Sequence, residues 1–73
     1  MKGLDSLICG EKAKVKEIRT SGDMYRRFLD IGLIKGTEIE CVLVGVGGDP
    51  KAFLIRGAVI AIRNDDSSLI YVE

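Results

Sequence analysis

One segment near the middle of the chain has the apolar spacing of a short helix that ends at a glycine. Met24, Phe28 and Ile31 recur at i, i+4 and i+7, so they share one face of a helix. Gly32 follows where a left-handed C′ residue belongs, because glycine has no Cβ to clash there. Leu33 can then fold back onto Phe28 in a Schellman motif. The pattern predicts one amphipathic helix followed by a sharp chain reversal.

Much of the remaining chain alternates between apolar and polar positions, which is typical of β-strands. Val15 and Ile18 break the alternation of the first strand and predict a β-bulge. Arg56 and Gly57 form a two-residue hairpin turn between two apolar runs. The predicted strands lie at residues 13–19, 38–44, 51–55, 58–63 and 69–72. This order predicts a mainly β protein with one short helix, folded as a small, partly open barrel of about five strands.

The connections carry their own signals. Thr20 and Asp23 have the spacing of a capping box before the helix. Residues 45–50 are rich in glycine and include the single proline, so they are expected to form a loop between two strands. The polar residues 64–68 allow one helical turn before the last strand.

The size and charge of the chain limit its functions. A chain of 73 residues is expected to form one domain, residues 1–73, with little room for a deep active site. Eleven basic and eleven acidic residues give zero formal net charge, so the chain lacks the positive field that attracts nucleic acid or anionic membranes. A nucleic-acid role is therefore disfavoured.

Candidate chemistry is sparse because the chain contains no histidine. Cys9 and Cys41 are far apart in sequence and lack a base to activate them, so both are expected to be buried, reduced thiols. Carboxylates and two scattered thiols are a poor set of transition-metal ligands. We therefore expect no enzyme activity, no cofactor and no metal site. The apolar stretches are too short to span a bilayer, and the chain is expected in the cytoplasm.

The order of these landmarks resembles the ferrous iron transport protein A (FeoA) family, whose members are small SH3-like barrels. The specific parts of the match are the helix-to-strand sequence RRFLDIGLIKG at residues 26–36 and the glycine-aspartate-proline loop at residues 48–50. Less specific landmarks are Leu4, Leu7, Gly10, Val15, Ile18, Gly57 and residues 60–63. Lys35 and Gly47 depart from the family pattern at positions that affect loop rigidity.

The resemblance implies an accessory role in ferrous iron uptake. Its expected partner is the membrane transporter FeoB, bound on the cytoplasmic side, where the G-protein domain of that transporter is one candidate contact. The chain would then lie at the inner face of the membrane only through that partner. Arg26, Arg27 and Arg63 also allow a stimulation of GTP hydrolysis, although solvent-exposed arginines are the simpler interpretation. A nucleic-acid-binding barrel and a metal-responsive regulator domain remain the alternatives.

The two strands at residues 51–55 and 58–63 carry large apolar residues in both alternation phases, more than one barrel interior can hold. The surplus predicts an exposed docking patch or a contact in a homo-oligomer, unless the helix covers that outer face. The predicted partner interface consists of Met24, Tyr25, Arg27, Phe28, Phe53, Leu54, Ile60 and Ile62.

Overall fold

The computed structural model describes residues 2–73. Its elements along the chain are β1 (Lys2–Gly3), β2 (Lys12–Ile18), α1 (Gly22–Asp30), β3 (Glu38–Val44), β4 (Lys51–Ile55), β5 (Ala58–Ile62), α2 (Asn64–Ser67) and β6 (Ile70–Val72). Two 3-10 turns lie at Leu4–Ser6 and Val46–Gly48.

The strands form one antiparallel sheet in the order β1-β6-β2-β3-β4-β5. The sheet forms a barrel. Its first and last strands do not pair, so the barrel stays partly open and β5 is an edge strand. The five predicted strands are all present, and β1 adds a sixth that is too short to show a pattern in sequence. The prediction of a mainly β, partly open barrel is confirmed, as is the helical turn at α2.

A β-bulge in β2 directs two apolar side chains of this strand toward the core. The pairing of β2 with β6 shifts register between Val15 and Glu17. Val15 is buried, and Ile18 packs against the core from the far side of the shift. The extra residue turns the strand so that both apolar side chains face inward, as the sequence predicts.

The end of α1 is a Schellman motif. The Leu33 N–H donates to the Phe28 carbonyl at 2.9 Å, and the Gly32 N–H donates to the Leu29 carbonyl at 3.0 Å. Gly32 has φ 83°, a left-handed conformation that favours glycine. Leu33 is fully buried, so the chain reverses directly into the core, and the predicted helix stop is confirmed.

The start of α1 differs from the prediction. The N-cap is Ser21, and its side chain makes no capping hydrogen bond. Asp23 is therefore the second helical residue, one position too early to complete a capping box with Thr20. The predicted capping box is wrong because the helix begins one residue later than that motif requires.

One alternation phase of the sheet fills the core. Directly opposed residues share a face, so the pairs Ile39 with Ile55 and Cys41 with Phe53 all point inward. Leu54 pairs with Val59 in the other phase, on the outer face. Val59 is 65% exposed, so part of the apolar surplus does reach solvent. The core is completed by Leu4, Leu7, Ala13, Val15, Phe28, Leu33, Ile62, Ile70 and Val72.

Candidate docking groove

A groove of about 310 Å³ lies between α1 and the edge strand β5. Its wall on the helix side comes from the apolar face predicted for α1. Its other wall comes from β5 and the first turn of α2. The lining residues are Met24, Arg27, Phe28, Ile31, Ile60, Ala61, Ile62, Arg63 and Asp66.

The floor of the groove is apolar and its rim is charged. Phe28 and Ile62 are each 4% exposed, so they form a floor that is continuous with the core. Arg27 and Arg63 are exposed at the rim. A shallow apolar floor bordered by charged groups is the usual composition of a protein–protein contact, with an anchoring centre and a polar rim.

The two rim arginines have no acidic partner in residues 2–73. The ion pairs there join Lys2 to Glu11, Lys16 to Glu73 and Arg19 to Glu17. Asp66 also lines the groove, yet it forms no ion pair with Arg27 or Arg63. A guanidinium without a partner can make a charge-assisted hydrogen bond with an incoming carboxylate, so the rim favours an acidic ligand.

Contacts at the two ends of β5 hold the groove in place. The Arg56 Nε–H, in the β4–β5 turn, donates to the Gly32 carbonyl at 2.9 Å and ties this turn to the end of α1. At the other end, Asn64 donates from its side-chain amide to the Gly48 carbonyl and from its backbone N–H to Asp49 Oδ1, both at 3.0 Å. The Arg56 contact therefore ties one end of β5 to α1, and the Asn64 contacts tie the other end to the loop between β3 and β4.

The structure brings five of the eight predicted interface residues into this groove. These are Met24, Arg27, Phe28, Ile60 and Ile62. Phe28 and Ile62 belong to the core as well, so they can support a ligand from below but cannot project into it. An acidic substitution at Phe28 would disrupt the core by burying a charge, and it cannot test docking.

The other three predicted residues lie elsewhere. Phe53 is 0% exposed, so its assignment to a surface is wrong: its alternation phase is the inner one. Tyr25 lies on the opposite flank of α1, beside Ile18 and Leu29. Leu54 lies on the outer face of the sheet near Glu40. The helix packs on the inner side of β5 and leaves that outer face uncovered.

The sequence contained one further signal for a groove residue. Ile31 shares the helical period of Met24 and Phe28, so it could have been placed in the groove beside them. Asp66 and Ala61 carry no such signal. Asp66 reaches the groove only because α2 folds back next to β5.

The two cysteines and the acidic side chains are the potential metal ligands in the described part of the chain. Residues 2–73 contain no group of three or more cysteine or acidic side chains close enough to hold a metal ion. Cys41 is fully buried, and this burial raises the pKa of its thiol. Cys9 is exposed, contrary to prediction, and its thiol donates to the Val42 carbonyl at 3.4 Å. It lies in the turn before β2, where the chain has left the core.

No helix formed by residues 2–73 is long and apolar enough to cross a bilayer. The short antiparallel strands, with a bulge in β2 and α1 beside the edge strand β5, form a small SH3-like barrel. The chain belongs to the FeoA family, since the family model described as the FeoA domain matches residues 2–73. It is therefore an SH3-like domain associated with ferrous iron transport. The FeoA family consists of accessory domains and is not a known enzyme family.

Solved structures of the family share this fold. Iron(II) transport protein A from Clostridium thermocellum is 36% identical with a TM-score of 0.91, and it is matched over 100% of this chain and 44% of its own length. A FeoA-like protein from Clostridium acetobutylicum is 32% identical, with a TM-score of 0.87 and coverage of 100% and 87%. FeoA from Stenotrophomonas maltophilia, a prokaryotic SH3-domain protein solved with zinc, is 25% identical, with a TM-score of 0.88 and coverage of 100% and 91%.

A manganese-dependent transcriptional repressor contains a domain of the same fold at 18% identity and a TM-score of 0.85, with coverage of 97% of this chain and 40% of the repressor. At that identity the likeness concerns the fold alone. A search of curated proteins gives no match.

Proposed function

We propose that this chain is a non-enzymatic, cytoplasmic accessory protein of ferrous iron uptake that binds a FeoB-type transporter through the groove between α1 and β5. The observation that carries the proposal is the groove itself, in which an apolar floor meets two unpaired arginines. Membership of the FeoA family supplies the iron-transport setting. To regulate the transporter, the chain must bind one of its conformational states more tightly than another.

The balance of charge supports a protein partner over nucleic acid. Eleven basic and eleven acidic residues cancel, so the chain has no net positive charge to attract a phosphate backbone. A local pair of cations suits a carboxylate on a partner protein. A phosphate backbone would engage a longer basic stripe.

The test reverses the charge of two adjacent arginines of α1, one in each variant. Arg27 lines the groove, whereas Arg26 is equally a helix-surface arginine but lies outside it. We expect Arg27→Glu to weaken binding to a detergent-solubilised FeoB-type transporter about tenfold or more, and Arg26→Glu to leave binding near the wild-type value. Binding is measured by surface plasmon resonance, and unfolding is monitored by circular dichroism.

Equal losses from both variants would indicate a general charge effect and contradict the groove as the site. Absence of binding by the wild-type protein, with and without guanine nucleotide, would contradict the partnership itself. Both arginines are exposed, and surface substitutions usually change stability by less than about 0.5 kcal/mol, so the two variants can be compared as folded proteins.

A further inference from the structure

The edge strand β5 has an unusual composition for a strand that ends a sheet. Its sequence, AVIAI, contains no charge, no proline and no glycine, and its pairing with β4 has no bulge. Edge strands are usually protected by such features because their free main-chain groups can pair with another chain. The other edge, β1, is only two residues long. The described sheet therefore has one long, unprotected edge.

The hairpin geometry identifies the free main-chain groups. Arg56 and Gly57 form a two-residue turn with positive φ at both positions, which makes Ile55 and Ala58 a hydrogen-bonded pair. Hydrogen-bonded and non-hydrogen-bonded pairs alternate in an antiparallel ladder. Val59 and Ala61 therefore direct their N–H and C=O groups away from β4.

These outward groups have no partner in the described structure. Among residues 2–73, no main-chain hydrogen bond outside the sheet ladders involves Val59 or Ala61. Both residues are exposed, so solvent reaches this side of the strand. Ala61 also lines the groove, and the free edge thus opens directly onto the space between β5 and α1.

A strand added to this edge would also fill the groove. Its residues opposite Ile60 and Ile62 would share the inner face of the sheet and point toward the floor formed by Phe28 and Ile62. Its alternate residues would join Val59 on the outer face. Main-chain hydrogen bonds would then supply affinity and the groove would select side chains, as in other cases of strand addition.

Charge at the two ends of β5 selects the occupant. Arg56 precedes the strand and Arg63 follows it, and neither forms an ion pair in residues 2–73. If two copies paired antiparallel about Ile60, Arg63 of one copy would lie beside Arg56 of the other at both ends of the pairing. Like charges at such positions disfavour pairing, whereas acidic residues flanking a foreign strand would be attracted.

We propose that the open edge of β5 binds an extended segment of the transporter, with apolar residues at alternate positions and acidic residues at its ends, as an added strand. This inference rests on the proposed function and specifies how that partner is bound. The added strand donates to and accepts from the main chain of Val59 and Ala61.

The test removes one outward N–H without touching the β4–β5 ladder. Proline at position 59 lacks this donor, and a proline is tolerated in an edge strand when its nitrogen faces solvent. We expect Val59→Pro to weaken transporter binding about tenfold or more, whereas Val59→Thr, which keeps the N–H and the branched shape, retains it. Circular dichroism compares the folding of both variants.

Amide hydrogen exchange of the wild-type protein gives a readout that needs no folded variant. In the free protein the Val59 and Ala61 amides should exchange quickly, and the amide of Ile60 should be protected by β4. A short synthetic peptide of alternating valine and threonine with glutamate at both ends should slow exchange at Val59 and Ala61 by about tenfold or more. The same peptide with lysine at both ends should have a much smaller effect.

The outcomes separate this inference from the proposed function. Transporter binding that is lost in Arg27→Glu but unchanged in Val59→Pro would contradict strand addition and leave the groove as the site. Unchanged exchange at Val59 and Ala61 in the presence of the glutamate peptide would also contradict it. Sedimentation showing a wild-type dimer that Val59→Pro converts to a monomer would assign the edge to a second copy and overturn the proposed occupant.

Discussion

At the scale of single residues, Gly32 joins two parts of the fold that are distant in sequence. It ends α1 in a left-handed conformation, and its carbonyl accepts hydrogen bonds from both Arg56 and Thr37. The positive φ follows from the sequence pattern of a helix stop. The contact with Arg56 does not, because it depends on how the β4–β5 turn packs against the helix.

Alanine at position 32 should destabilise the protein more than alanine at position 36. Both glycines have positive φ, 83° and 91°, and strain of this kind costs on the order of 1–3 kcal/mol for a side chain. A Cβ at Gly32 would lie 2.5 Å from Arg56 Cδ, whereas one at Gly36 would have nothing within 4 Å. Arg56 would have to move, and its hydrogen bond to Gly32 would be lost. Urea denaturation measures the two free energies of unfolding.

The comparison includes its own control. In an Arg56→Ala background, the difference between Gly32→Ala and Gly36→Ala should shrink, because the clash and the hydrogen bond are both absent. A difference of the same size in that background would show that Arg56 has no part in the effect.

At the scale of elements, the connection from α1 to β3 is held by a threonine that belongs to none of the predicted motifs. Thr37 is buried, and its hydroxyl donates to the Gly32 carbonyl and accepts from the Ile34 N–H, each at 3.1 Å. Its carbonyl also accepts from the Val15 N–H at 2.9 Å. The side chain therefore ties the reverse turn to the end of α1, while its backbone joins the turn to β2.

Replacing Thr37 with valine should cost about 0.5–1.5 kcal/mol, because the partly buried Ile34 N–H loses its acceptor and the Gly32 carbonyl loses one of its two donors. Valine keeps the shape of threonine, so little of the loss would come from packing. Thr37→Ser keeps the hydroxyl and should cost less than Thr37→Val. Thermal unfolding followed by circular dichroism ranks the three proteins, and a Thr37→Val protein as stable as wild type would show that the hydroxyl is dispensable.

The elements themselves followed closely from local patterns. The bulge at Val15, the stop at Gly32 and the turn at Arg56 and Gly57 each depend on residues within a few positions of one another. The predicted capping box was wrong by one residue. Thr20 and Asp23 have the spacing of the motif, but Ser21 and not Thr20 is the N-cap. Short motifs thus predicted the type of each element better than its first residue.

At the scale of the whole molecule, ion pairs between distant positions lie across the barrel surface. Lys2 binds Glu11 and Lys16 binds Glu73, each at 2.6 Å. The hydrogen bond from Lys2 holds the pKa of Glu11 below its ordinary value of 4.5, and the hydrogen bond from Lys16 does the same to the pKa of Glu73. These pairs add side-chain contacts to the main-chain hydrogen bonds that attach β1 and the C-terminal residue to the barrel.

Stability should fall as the solution is acidified. A carboxyl whose pKa is lowered by folding contributes stability that is present above its unfolded pKa and lost as pH falls through its folded pKa. For Glu11 and Glu73 the loss begins near pH 4.5 and continues below it. Melting temperatures between pH 7 and about pH 3 measure the effect, and the double variant Glu11→Gln with Glu73→Gln should show a shallower dependence.

Added salt should reduce the pH dependence of the melting temperature of the wild-type protein. Both ion pairs are exposed, and salt screens exposed charges within about 10 Å at moderate ionic strength. An identical pH profile in the double variant would mean that other carboxyl groups control the acid response.

The sequence by itself determined the helix, its glycine stop, five of the six strands and the β4–β5 turn, because each depends on spacing within one segment. The order of these segments along the chain indicated the family. The sequence also showed that β4 and β5 carry more large apolar residues than one interior can hold. Only the tertiary structure decided which alternation phase of β4 and β5 faces the core, because burial depends on the neighbouring strands. Phe53 is buried, whereas Val59 is exposed. The groove and the free edge of β5 likewise arise only when α1 packs beside a strand that has no neighbour on its far side.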